Sequence, residues 1–600
     1  MNDRRTSLLN LVASPVSRVL IGVLLVVLVV GGISFLLSVG QTMLGSPSSI
    51  TQIAKPSVDT SRVVSAFGRF LAGRFAESQS DLEQAAQMMA VILEDKPDDQ
   101  RFLKQAFVLA MSAGHAKRAI KLAENIDGAG ISVSTARIVQ ISQDFKKGDF
   151  AAALLRAKDP KSAGLGRYAL IMARAWGLVG QKKFDEAMVE INALGQEKGF
   201  NVMYRLHAGL IKAVGGKPYE ALEQFRLVSK TKDLATAPIR IQRAALPILQ
   251  KLNQKEEALA IVNKQLESDI NSLLFGSLHR SLETGKLIPP LAVTPSQGLA
   301  EGLFNIATAL PRDRAGNVVL LYAQLARIFR PEFPLAEILI GDIMMSRKRY
   351  DSAVAIYKKI PAKSDYGWTA RLRMADALYE GDRLDEARQL LKTMGEERPK
   401  RFDALLRLGN YLRYKEKYKD AVEIYDRAFK RLDDIKKNDW NLFYSRGIAL
   451  ERSKQWDRAE KDFLEALELV PGQPYVLNYL GYSWVERKKN LAKAKKMIEN
   501  AVAQRRNDGY IVDSMGWVLF RLGEFEKAVH HLERAVQLRP HDPIINDHLG
   551  DAYWRVGRKH EARFQWRRAL SFKPEDDDAS KIQAKLDRGL DKLKILEQDG

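Results

Sequence analysis

Small and apolar positions recur along this chain with a fixed step. A small residue is followed twelve positions later by Ala, and the pair returns about every 34 residues from near residue 73 to near residue 570. The first run, Gly73, Phe107, Ile141, Ala175 and Gly209, is followed at twelve by Ala85, Ala119, Ala153, Ala187 and Ala221, with bulky side chains at two leading positions. A second run, Ala307, Gly341, Ala375 and Gly409, is followed by Val319, Ala353, Ala387 and Ala421. The third, Gly447, Gly481, Gly516 and Gly550, is followed by Ala459, Ala494, Ala528 and Ala562, with one extra residue in the Arg487-Lys488-Lys489-Asn490 loop. A period of this length predicts a solenoid of stacked helical hairpins. The small residues mark crossings of antiparallel helices, where anything larger than Ala pushes the backbones apart. Punctuation agrees with this register. Gly114, Gly148, Gly216, Gly523 and Gly557 fall seven after the leading residue, where a helix end takes a left-handed cap. Pro97, Pro331, Pro399, Pro471, Pro540 and Pro574 fall twenty-four after it, between hairpins.

The period lapses over residues 267–299, which include Pro289-Pro290 and Thr294-Pro295. This stretch is expected to be an irregular connection, a long loop or a hinge, between an array over 59–266 and a second over 300–574. Glu575-Asp576-Asp577-Asp578 suits a helix start, so residues 575–600 are expected to form a polar capping helix and tail.

The most apolar stretch lies outside the repeats. Residues 19–37 carry Ser34 as their only polar side chain, and at 1.5 Å per residue they cover about 28 Å, the reach of a transmembrane helix. Arg4, Arg5 and Arg18 precede this run, and the next basic residue is Lys55. The positive-inside rule then leaves residues 1–18 as a cytoplasmic tail and, beyond a linker at 38–58, exports the repeats. Alternatively, Ser38-Val39-Gly40 is cut by a signal peptidase and the repeats are released.

The chain has no cysteine, which removes disulfides, thiol catalysis and cysteine lipidation together. Its 94 basic against 73 acidic residues give a formal charge of +21, concentrated in segments such as 427–437 and 487–496. On helix surfaces such clusters read as solvated faces, and an exported domain meets little nucleic acid, so that partner is not expected. An anionic cell-wall polymer or lipid held on the basic face is the alternative functional reading. Catalytic chemistry is not expected either. None of the eight histidines forms an HExxH pair, and neither a phosphate loop nor a Gly-x-Ser-x-Gly elbow is present, so no catalytic residue, metal or cofactor is assigned.

Recognition is where individual residues become specific. The first helix of each hairpin lines the concave wall, and residues three before, one after, four after and five after its small residue project into the groove. Around Gly481, Gly516 and Gly550 this selects Asn478, Tyr482, Glu486, Asp513, Trp517, Phe520, Arg521, Asp547, Asp551 and Arg555. Rings with amide, carboxylate and guanidinium groups suit an extended peptide. The competing reading makes Asp547, Asp551 and Arg555 a helix-face ion network and Trp517 an inter-repeat packing residue.

The period, the Gly, Ala and Pro positions and segments such as Gly523-Glu524-Phe525-Glu526-Lys527-Ala528 resemble the tetratricopeptide repeat (TPR) family. This resemblance implies an all-α, right-handed superhelical solenoid of helix-turn-helix hairpins, here preceded by one N-terminal transmembrane helix, acting as a non-enzymatic interaction scaffold. More narrowly, Asn478-Tyr479-Leu480-Gly481-Tyr482 and Asp513-Ser514-Met515-Gly516-Trp517 look like a proteobacterial group of envelope repeat proteins, some of them adaptors of a periplasmic carboxyl-terminal processing protease. That resemblance implies a single-pass bacterial inner-membrane protein with its repeats in the periplasm, or a secreted periplasmic one. Its partner would be a protein or extended peptide such as the protease or its substrate. The lipobox cysteine of the lipoprotein members is missing.

Overall fold

The computed structural model describes residues 66–158, 164–268, 272–432 and 435–590, and among these the regular structure is helical throughout, without a strand. Helices alternate with short turns in antiparallel pairs, each packed on its sequence neighbours.

The 34-residue step has a direct steric cause. A Cβ added to Gly209, Gly341, Gly409, Gly447, Gly516 or Gly550 would fall 2.2–2.7 Å from the side chain sixteen residues later, respectively Phe225, Tyr357, Tyr425, Phe463, Leu532 and Trp566. A large side chain of the second helix thus lies against bare backbone of the first. At Phe107 and Ile141 the order of sizes is exchanged, the residues sixteen on being Ala123 and Ala157, all four fully buried. Volume at the crossing is conserved while its source changes helix. The residues twelve on, from Ala85 to Ala562, are all 1% or less exposed.

Helix ends follow local chemistry. Asp81, Asp99, Asp149, Asp508 and Asp542 accept hydrogen bonds from backbone N–H groups of the following first turn. Pro97, Pro331, Pro399, Pro471 and Pro540 hold the preceding residue at φ between −139° and −133°, outside the helical region, which ends the second helix of each hairpin.

Within the stretch where the period lapses lies a complete helix, Leu273–Thr284, ended by Gly285 at φ 71°. The extended segment after it is held by its backbone: Gln250 bonds Lys286 O and Ile288 N, Arg243 donates to Pro289 O, and Arg330 to Leu291 O. This strap delivers the next hairpin, Pro295–Thr308 and Arg312–Phe329, onto the first helices of the N-terminal array, Gln100–Ala113, Ser134–Lys147, Gly164–Gly180 and Asn201–Val214. The surface those repeats would offer to a partner is thereby occupied by the chain itself. Gly298 admits the closest approach, since a Cβ there would sit 2.3 Å from the Trp176 indole, and Gly302 faces Met172 and His207. Trp176 Nε1 donates to His207 Nδ1 at 3.1 Å, and the fully buried Glu301 is held by Arg240 and Arg330.

Buried side chains form two main cores. They meet in the helix Gly367–Glu380, whose Ala377 belongs to the first and whose Trp368, Ala375 and Leu378 belong to the second. The second core runs to Ile582 in the helix Asp576–Arg588.

One expectation is corrected. No helix among the described residues is long and apolar enough to cross a membrane, so the structure supplies no transmembrane helix ahead of the solenoid. The apolar segment 19–37, with the tail and linker on either side, lies outside the described residues.

Candidate functional site: the groove of the C-terminal repeats

With the N-terminal repeats covered, the open concave face lies on the first helices that follow, Pro334–Ser346, Gly367–Glu380, Asp403–Tyr414, Trp440–Arg452, Pro474–Glu486, Gly509–Arg521 and Pro543–Arg555. It holds a cavity of about 940 Å³ whose border includes Met345, Tyr379, Glu380, Asn410, Tyr411 and Tyr414. Tyr379 and Tyr411 stack with centroids 4.2 Å apart and planes 7° from parallel. The Tyr411 hydroxyl and Arg407 both donate to Asp376, which locks that carboxylate. Burial, then the Asp376 charge, raises the Tyr411 phenol, so it stays protonated. Glu380 and Asn410 are among the polar groups left for a ligand. Glu380 is exposed and, among the described residues, has no hydrogen bond or ion pair. Asn410 Oδ1 accepts from the Tyr425 hydroxyl at 2.8 Å, while its Nδ2 hydrogens have no partner among the described residues. Tyr414, 64% exposed, adds a ring that carries the Arg413 guanidinium 4.3 Å from its centroid.

This segment is absent from the residues selected in the sequence, although the same offsets would have found it. Counted from Ala375 and Gly409, they give eight residues, of which Asp376, Tyr379, Glu380, Leu406, Asn410 and Tyr414 border the cavity and Leu372 and Arg413 do not.

The structure engages seven of the ten selected residues in bonded or stacked clusters. Glu486, Trp517, Phe520 and Arg521 come together: Glu486 accepts from Trp517 Nε1 at 2.7 Å and Arg521 at 3.0 Å, and Trp517 stacks on Phe520 at 5.0 Å. Asp513 is buried and binds His548 Nδ1 at 3.0 Å. Burial pushes the His548 imidazole down, but Asp513, its hydrogen bond, Asp547 and Asp551 outweigh this and raise it. Asp547 and Asp551 are drawn together by Lys585, 2.7 and 2.8 Å away, and Asp551 also accepts from Trp566 Nε1 at 3.0 Å. Burial, then the neighbouring Asp547, raises Asp551. Tyr482 and Asn478 are half-buried one hairpin earlier, with Asn478 Oδ1 buried and unbonded among the described residues, and Arg555 is half-buried one turn beyond Asp551. Lys585 was missed because the tail reads only as a polar cap. A lone lysine on the inward face of an acidic helix is the one signal it gave.

Comparison with known proteins agrees with this architecture. Tetratricopeptide-repeat models match residues 344–409, 406–474 and 516–557. A TPR repeat-containing protein of Pseudomonas aeruginosa is 29% identical over 193 residues, 32% of this chain and 31% of that one. The bovine BBSome complex member BBS4 is 25% identical over 207 residues, 34% of this chain and 38% of that one. The chain thus spans about a third of the length of the curated relatives it matches. Among solved structures it is similar to the APC/C hetero-tetramer Cut9-Hcn1, 15% identical with a TM-score of 0.37 over 88% of this chain and 96% of that chain. Naa15/Naa10 bound to HypK-THB is similar at 13% identity and a TM-score of 0.33, over 89% and 99%. The segments 344–474 and 516–557 thus match tetratricopeptide repeats.

Proposed function

We propose that the chain is a non-enzymatic scaffold that holds an extended segment of a partner protein along the concave face of its C-terminal repeats. The observation that carries this reading is the groove at 345–414, where the exposed Tyr414 ring and the Tyr379–Tyr411 stack adjoin the Glu380 carboxylate and the Asn410 Nδ2 hydrogens, which have no partner among the described residues. Such groups can satisfy the N–H and C=O groups of an extended backbone while the rings cover its side chains. The run Trp517, Phe520 and Glu486 extends the same wall toward the C-terminus.

A photocrosslinking amino acid tests the site in intact cells. Placed at Tyr414 or Trp517 it should yield adducts with a partner protein, and placed at exposed Lys527 of a second helix it should not. Adducts from Lys527 alone would overturn the groove reading.

The narrower resemblance supports a partner class, a periplasmic processing protease or its substrate. It also supports an envelope location on the periplasmic side. A reporter active only outside the cytoplasm, fused after Gly600, should work; an inactive but stable fusion removes both proposals.

A further inference from the structure

The hairpin that covers the N-terminal repeats does not fill them completely. Where the helix Arg312–Phe329 crosses Gln100–Ala113 and Ser134–Lys147, a cavity of about 500 Å³ is left. This size falls within the roughly 300–1,000 Å³ of small-molecule sites. One wall is apolar, made by Met111, Ile120, Ile328 and Phe329. The remaining border includes Gln143, Lys146 and Arg327, and no carboxylate.

The two cations are not equivalent. Arg327 lies 2.7 Å from Glu337, a buried carboxylate behind the lining, and also donates to Gln324. Lys146 is exposed and among the described residues has no ion pair, so its charge is unspent and stands at the rim. A chamber that pairs an apolar wall with one unpaired ammonium at its mouth discriminates on two counts. A neutral molecule leaves the ammonium unused, and a small inorganic anion leaves the apolar wall unused.

We propose that this cavity binds a small anionic amphiphile, the carboxylate of an unbranched medium-chain fatty acid. The carboxylate pairs with Lys146 at the rim, and the alkyl chain lies along Met111, Ile120, Ile328 and Phe329. The site is separate from the C-terminal groove, so the chain carries a small-molecule site at the joint between its N-terminal repeats and the hairpin that covers them.

Isothermal titration of the full chain with decanoate tests this. One molecule should bind per chain, and 1-decanol, of the same length without the charge, should bind about tenfold more weakly or not at all. Lys146→Ala should bring decanoate down to the level of decanol. Ala116→Trp, at an exposed position on the cavity border, should block both. Both variants change exposed residues, and unchanged circular dichroism shows that the fold is kept. The proposal is overturned if decanoate does not bind, if decanol binds equally well, or if folded Lys146→Ala binds decanoate as tightly as the unchanged protein.

Discussion

Trp517 lies flat on the imidazole of His548, their centroids 4.0 Å apart and planes 16° from parallel. The two residues belong to the first helices of successive hairpins, so the stack joins one repeat to the next. It also places His548 against the Asp513 carboxylate. Trp517→Ala is therefore expected to cost about 2 kcal/mol of stability in the C-terminal repeats, as well as any partner contact. Trp517→Phe should keep most of the stability while losing the bond to Glu486. Urea unfolding followed by circular dichroism measures both, and an unchanged midpoint for Trp517→Ala would show that the stack is only incidental.

Gly298 is the tightest point between the covering hairpin and the N-terminal repeats. Gly298→Ala should destabilise by about 1–3 kcal/mol through overpacking against Trp176, beyond the roughly 1 kcal/mol that Ala contributes as a helix former. Gly276→Ala in the helix Leu273–Thr284 has room, its nearest neighbour being Arg280 Nη1 at 3.9 Å, and should stabilise slightly. Thermal midpoints moving in the same direction for both would contradict the fit described.

Lys585→Ala leaves Asp547 and Asp551 facing each other in a buried site. A loss of about 3–5 kcal/mol is expected, concentrated in the last hairpin and the helix Asp576–Arg588. Adding Asp547→Asn and Asp551→Asn should restore most of it. Amide exchange across residues 543–588 reads the effect locally, and no recovery in the triple variant would mean that Lys585 contributes packing rather than charge.

His207 gives the N-terminal half a pH dependence of defined sign. Burial, and then the charge of Arg240, hold its imidazole at about 3, against an ordinary value near 6.5. Between those values the unfolded chain binds a proton that the folded chain excludes, so stability falls as the pH drops below about 6.5. The loss at pH 5 should be about 2 kcal/mol. His548 has the opposite sign: its imidazole is raised, so its contribution is present at low pH and is lost as pH rises through its folded value. His207→Gln, which keeps an acceptor for Trp176, should flatten the acid loss. Urea midpoints at pH 7 and pH 5 that fall equally in both proteins would rule out His207 as the cause.

The repeats were legible because their cause is local. Gly341 and Tyr357, or Gly516 and Leu532, lie sixteen residues apart, so the packing that requires a glycine also writes a short-range period. Even the exceptions at Phe107 and Ile141 are answered sixteen residues on. The covering hairpin was not legible for the opposite reason. Its register, Ala307 followed by Val319, is that of an ordinary repeat, while the glycines that seat it, Gly298 and Gly302, fall outside the register and meet Trp176 and Met172, more than a hundred residues earlier. The groove shows a similar division. Side-chain offsets name the residues that face inward, but not which of them, like Asp551, a distant Lys585 has already taken.

That long-range seating bears on how the protein is made. A solenoid whose repeats touch only their neighbours can fold from its first hairpin onward as it leaves the ribosome. Here Gln324 reaches Ser112 across 212 residues, and Arg349 pairs with Asp81 across 268. Residues 100–214 therefore emerge with a large apolar face bare, and wait on the order of ten seconds of synthesis for the hairpin that covers it. During that interval the nascent chain displays the surface that the finished molecule keeps closed, and it is then that chaperones have access to it.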